Sequence, residues 1–172
     1  MEANALGGPQ TIVLLAGTYT FSLTGAIDDD AVTGDLDIKD DVTIVGVGAA
    51  STIIDAADLD RVFEVMSGKH LSIERVTIRN GNVSGGADGG GILNSGTLEL
   101  TRVTLDSNEA ASIGGQGGAI YNQGSLTVSD ALFTNNTGNQ GGGGLYNGPT
   151  IGPAVTASIT NTTFDTNNTL SA

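Results

Sequence analysis

What most narrows the possible folds of this chain is a repeat of about 27 residues in its second half. The segments His70 to Asn80, Thr97 to Asn108, Ser125 to Asn136 and Ala157 to Asn167 share one apolar skeleton. Glycine-rich stretches ending in GGGILN, GGAIYN and GGGLYN separate them. Ile78, Leu105, Phe133 and Phe164 stand 27, 28 and 31 positions apart, and Ile73, Leu100, Val128 and Ile159 keep the same three intervals. Leu71, Leu98 and Leu126 form a third column, and Val76, Val103, Ala131 and Thr162 a fourth. Within each repeat the apolar spacing is two, three, two, which describes two short strands joined by a one-residue slip where the chain turns.

Ile92, Ile120 and Leu145 each follow a run of glycines and precede an asparagine by two residues, which supplies a third strand. The prediction is an all-β, right-handed, single-stranded parallel β-helix with three short strands per coil. A chain of 172 residues holds about six such coils around one continuous core. The domain reading is a single β-helix over 1–172, with less regular coils over 1–65, an acidic loop at 25–34 that leaves the solenoid, and regular repeats over 66–172. Stacked coils lie about 4.8 Å apart.

The net charge of -13 argues against nucleic acid as a partner, because phosphate binding needs clustered lysine and arginine. Without cysteine there are no disulfides, thiolate metal sites or cysteine nucleophile. No apolar run approaches the length of a membrane span, so direct membrane insertion is not expected.

The segments EANALGGPQTIVLLAGTYTFSLTG, TGDLDI, DVTIVGVGAASTIID and RVFEV resemble the start of bacterial β-helix proteins whose N-terminal signature reads Cys-Ser-Leu-Arg-Glu-Ala. The GGAIYN and FTNN elements resemble the repeats of the polymorphic outer membrane proteins. The resemblance covers nearly the whole chain. It implies a large secreted or surface-exposed bacterial polypeptide with no assigned catalytic site, hence an extracellular location. The signature itself is absent, and Met1 to Asn4 matches what normally follows it, so the chain reads as a section of a longer solenoid. Open ends of a solenoid can template further strand pairing: coverage by neighbouring coils of a longer parent is the favoured expectation, and homotypic end-to-end association of copies into fibres the alternative.

Candidate chemistry is confined to a few columns. Arg79, Asp106, Thr134 and Asp165 form one outward column, and Arg75, Arg102, Asp130 and Asn161 another. They permit a polysaccharide-cleaving site, lyase or glycoside hydrolase in the manner of pectate lyases. Cross-strand pairing of Arg79 with Asp106 and of Arg102 with Asp130, worth at most about 1 kcal/mol per exposed pair, is the favoured reading. Asn94, Asn122 and Asn147 mark one corner and Asn108, Asn136 and Asn167 another, as structural ladders. Asp28, Asp29, Asp30, Asp35 and Asp37 are weak candidates for Ca²⁺, since oxygen-rich clusters suit that ion, and Asp35 and Asp37 are expected to point outward together. A solvated acidic loop is the preferred alternative.

His70 has no second histidine or cysteine to make a metal site, and no cofactor motif is found. Tyr121 and Tyr146 occupy equivalent positions and fit either sugar stacking or packing. The expectation is a non-catalytic, adhesive or structural module that meets a carbohydrate or a host or cell surface. The alternative is a polysaccharide-binding or polysaccharide-cleaving β-helix.

Overall fold

A computed structural model describes residues 7–22, 34–148 and 155–170. The first coil consists of β1 (Gln10–Val13), β2 (Gly17–Thr20) and β3 (Leu36–Ile38), and the second of β4 (Val42–Val45), β5 (Thr52–Asp55) and β6 (Phe63–Val65). The third has β7 (His70–Glu74), β8 (Thr77–Arg79) and β9 (Ile92–Asn94). The fourth has β10 (Thr97–Thr101), β11 (Thr104–Asp106), β12 (Glu109–Ala110) and β13 (Ile120–Asn122). The fifth has β14 (Ser125–Ser129), β15 (Leu132–Thr134), β16 (Thr137–Gly138) and β17 (Leu145–Asn147). A sixth begins with β18 (Thr156–Thr160), β19 (Thr163–Asp165) and β20 (Asn168–Thr169).

Corresponding strands pair only with those of the coils above and below, always in parallel. The first sheet runs β1-β4-β7-β10-β14-β18, the second β2-β5-β8-β11-β15-β19 and the third β3-β6-β9-β13-β17. The protein is therefore a parallel β-solenoid, with five complete turns and the opening of a sixth among its described residues. A short fourth sheet, β12-β16-β20, is present in the later turns, beyond the three strands per coil read from the sequence.

The register follows the apolar columns. Ile44 sits on Ile73, Ile73 on Leu100, Leu100 on Val128 and Val128 on Ile159. In the second sheet the order is Ile54, Ile78, Leu105, Phe133, Phe164. Of these, Ile73, Ile78, Leu105, Val128 and Phe133 are fully buried, whereas Ile159 and Phe164 lie in the last coil at 38% and 45% exposure.

The one-residue slip between the first and second sheets is a residue in the left-handed region: Arg75, Arg102, Asp130 and Asn161 have φ between 46° and 58°. A second such corner carries Asn80, Ser107, Asn135 and Thr166. For an L-residue this conformation costs on the order of 1 kcal/mol. It keeps the ladder unbroken, because the corner N–H groups still reach the next coil: Arg75 donates to Thr101, Arg102 to Ser129 and Ser107 to Thr134, at 3.1, 3.0 and 3.1 Å.

The glycine motif that ends each long stretch has a steric reading. Its first glycine, Gly89, Gly117 or Gly142, has φ of 69°, 68° or 54°. The second, Gly90, Gly118 or Gly143, has no room for a Cβ, which would run into the main chain of the adjacent coil. The third position accepts Ala119.

Phe133 and Phe164 stack with ring centroids 4.5 Å apart. Truncating the fully buried ring leaves a cavity, whereas the end-coil ring is already half in water. Phe133→Ala should lose about 3–5 kcal/mol in urea denaturation, and Phe164→Ala clearly less. Equal losses would contradict the stated register and end exposure.

Candidate functional site

Chemistry-bearing side chains concentrate on the outer face of the third sheet. Pairing places Asp37 on Glu64, Glu64 on Leu93, Leu93 on Tyr121 and Tyr121 on Tyr146 in a single file. One end of this file is acidic and the other aromatic.

At the acidic end, Asp35 and Asp37 are 3% and 0% exposed. This corrects the expectation of solvated carboxylates. Both point away from the apolar core, and Arg61, which holds the glycine-rich stretch of the next coil, lies against Asp35. Arg61, itself 3% exposed, donates from one nitrogen to Asp35 at 2.7 Å and Glu64 at 2.9 Å. Its Nε and second terminal nitrogen donate to the carbonyls of Gly89 and Asp88, at 3.0 and 3.1 Å. The guanidinium thus staples the stretch over the carboxylates, with a planar fork that a lysine does not have. The side chain of Asp88 accepts from the N–H of Gln116 at 2.8 Å, which ties that stretch to the one above it.

Oxygens of Asp35, Asp37 and Glu64 lie within 4.8 Å of one another, a set of hard donors that suits a hard cation. Arg61 supplies positive charge to the same group. Asp28, Asp29 and Asp30, the other calcium candidates, lie outside the described residues.

Burial pushes the Asp35 carboxyl up from the ordinary 3.8 to about 7, against the attraction of Arg61. Burial raises Asp88 in the same direction. A carboxyl that titrates near neutrality has the proton affinity wanted of a general acid. Here a substrate cannot reach it, because the side chain is enclosed.

At the aromatic end, Tyr121 and Tyr146 stack with centroids 5.2 Å apart and planes within 1°. Tyr121 is 2% exposed, so it packs and presents no face to a sugar.

The outward columns predicted from the sequence exist, but the ion pairs of Arg79 and Arg102 run to the preceding coil. Arg79 pairs with Asp55 at 2.8 Å, not with Asp106, and Arg102 pairs with Glu74, not with Asp130. In the second sheet Arg79 lies between Asp55 and Asp106. Asp55 wins because it is already fixed by the N–H of Ala57 and the amide of Asn80, both at 2.9 Å. Burial opposes ionisation of Asp55, yet these bonds and Arg79 hold its carboxyl below the usual range. Asp106 instead accepts from Asn135 at 3.1 Å, and Asp130 from Asn161. His70 lies 3.6 Å from Glu99.

The corner asparagines are bonded in series. Asn94 donates to Asn122 at 2.6 Å and Asn122 to Asn147 at 2.7 Å. Asn108 donates to Asn136 at 3.0 Å and Asn136 to Asn167 at 2.8 Å. Asn94 also serves the backbone: it accepts from Gly96 N–H at 3.1 Å and donates to the Ser125 carbonyl at 3.0 Å.

Arg61, Glu64 and Asp88 were not singled out from the sequence. The available signal was spacing, since Glu64 follows Asp37 by 27 positions, one repeat, with Arg61 three residues before it. Compared with known proteins, the chain matches no family model, no curated protein and no solved structure.

The raised Asp35 value has a definite consequence for stability. The folded state holds its proton up to about pH 7 and the unfolded state only to 3.8, so stability declines as pH rises between these values and is flat above. The lowered Asp55 value acts in the opposite sense, below 3.8. The urea midpoint should therefore be higher at pH 5 than at pH 8, and Asp35→Asn should flatten that slope. An unchanged slope in the variant would refute the assignment.

Proposed function

We propose that this chain is a non-catalytic structural and display module of a bacterial surface or secreted protein. The observation that carries this reading is the direction of its polar bonds. Arg79, Arg102, Asp106, Asp130 and both asparagine ladders bond along the solenoid axis, from coil to coil. The Asp35 carboxyl, raised to near neutrality, is enclosed. An enzyme acting on a polymer needs convergent groups on an open groove, and here the convergent acids lie beneath a covering stretch. The resemblance to bacterial β-helix surface proteins supplies the extracellular setting. In that setting a rigid stack provides reach, and its outer faces provide the contact with a carbohydrate or a host or cell surface.

The test is an assay against a panel of acidic and neutral polysaccharides, scoring new reducing and unsaturated ends. The expected result is no cleavage, with wild type and Asp106→Asn indistinguishable. Cleavage that is lost in Asp106→Asn would establish the hydrolase or lyase alternative instead.

A further inference from the structure

One position beside the third sheet departs from its file. Counting back two residues from the paired Leu36, Phe63, Ile92, Ile120 and Leu145 gives Gly34, Arg61, Gly90, Gly118 and Gly143. A file that is otherwise glycine holds one arginine. At Gly90, Gly118 and Gly143 the main chain of the adjacent coil stands where a Cβ would lie. At Arg61 a long charged side chain is accommodated instead, and it is buried.

The groups around its guanidinium are those that hold a hard cation. Carboxylates of Asp35 and Glu64 accept from it at 2.7 and 2.9 Å, and the carbonyls of Gly89 and Asp88 at 3.0 and 3.1 Å. Asp37 adds a third carboxylate, and oxygens of the three acids lie within 4.8 Å of one another. Carboxylates mixed with main-chain carbonyls are what calcium takes as ligands, about six to eight oxygens in all. Arg61 commits four of its five N–H groups to these oxygens. A guanidinium differs from a metal ion in two respects that count here. It belongs to the chain, so it is present at every cation concentration. Its planar fork also reaches Asp35 of the first coil, Glu64 of the second and the carbonyls of the third at once.

We propose that Arg61 is the resident cation of this cluster: its guanidinium fills the place that a calcium ion would otherwise take, and it latches Asp88 and Gly89 to the first two coils without any metal. Removing its charge leaves neighbouring carboxylates with no cation between them, which loosens the latch and turns the same oxygens into a calcium site. The inference rests on the structural reading of the chain and adds a property to it, a coil junction that holds whatever the calcium level around it.

The test compares wild type, Arg61→Gln and Arg61→Lys, melted in calcium chloride and in EDTA at equal ionic strength and followed by circular dichroism. Arg61→Gln loses the charge and keeps a polar side chain. Calcium should raise its melting temperature by at least about 3 °C more than that of wild type, the shift expected from a roughly fivefold excess over the dissociation constant in a chain of this size. Arg61→Lys keeps the charge and should respond to calcium no more than wild type. Amide exchange at Gly89 in EDTA should be at least tenfold faster in Arg61→Gln than in wild type, and calcium should slow it again. Folding of Arg61→Gln only when calcium is present would be the same result in a stronger form. Equal calcium shifts in wild type and Arg61→Gln, or an Arg61→Gln indifferent to calcium whether folded or not, would overturn the proposal. So would a calcium response in Arg61→Lys as large as in Arg61→Gln. None of these results touches the structural reading, which falls instead on cleavage of a polysaccharide by wild type.

Discussion

Everything in this protein depends on one arrangement, the parallel pairing of each coil with the coils above and below it. A coil of short strands cannot satisfy its own backbone, since its N–H and C=O groups point along the solenoid axis. Each turn is stable only when stacked, and the sequence is organised to keep that stack continuous. The left-handed corners show this most directly. Arg75, Arg102 and Asp130 adopt a conformation that L-residues avoid, and in return their N–H groups remain in register with Thr101, Ser129 and Thr160. The corner asparagines extend the same pairing from backbone to side chain.

The arrangement also explains why residues of catalytic type pair with one another along the columns. A solenoid places equivalent side chains one strand spacing apart, about 4.8 Å, which is the reach of a hydrogen bond or ion pair between neighbouring side chains. Polar side chains on such columns find one another before they find a ligand. Arg79 with Asp55 and Asn135 with Asp106 are instances. The buried cluster around Arg61 follows the same logic, with one guanidinium joining the carboxylates of two coils to the carbonyls of the glycine-rich stretch that covers them.

The parts legible in sequence were those set by inward periodicity. Ile73, Leu100, Val128 and Ile159 announce a column because a buried position accepts few residue types, and Asn94, Asn122 and Asn147 announce a corner because few residues fit there. What was not legible depended on choices the period leaves open. Arg79 and Arg102 each have two neighbours at equal spacing, and the periodicity cannot say which one is already held in place. Asp35 and Asp37 do point away from the core, but outward is not the same as solvated when a long glycine stretch folds back over the sheet. The fourth strand was missed because Glu109–Ala110, Thr137–Gly138 and Asn168–Thr169 are too short and too mixed to show alternation.

The central claim is that the polar columns act by binding coil to coil. A double-mutant cycle on Asn94 and Asn122, measured by urea denaturation, tests it most directly. Both side chains are fully buried and joined at 2.6 Å. The account predicts a coupling energy of at least about 1 kcal/mol between Asn94→Ala and Asn122→Ala, because each truncation strands the other's amide. Strictly additive losses would contradict it and show that the ladder is a by-product of the register.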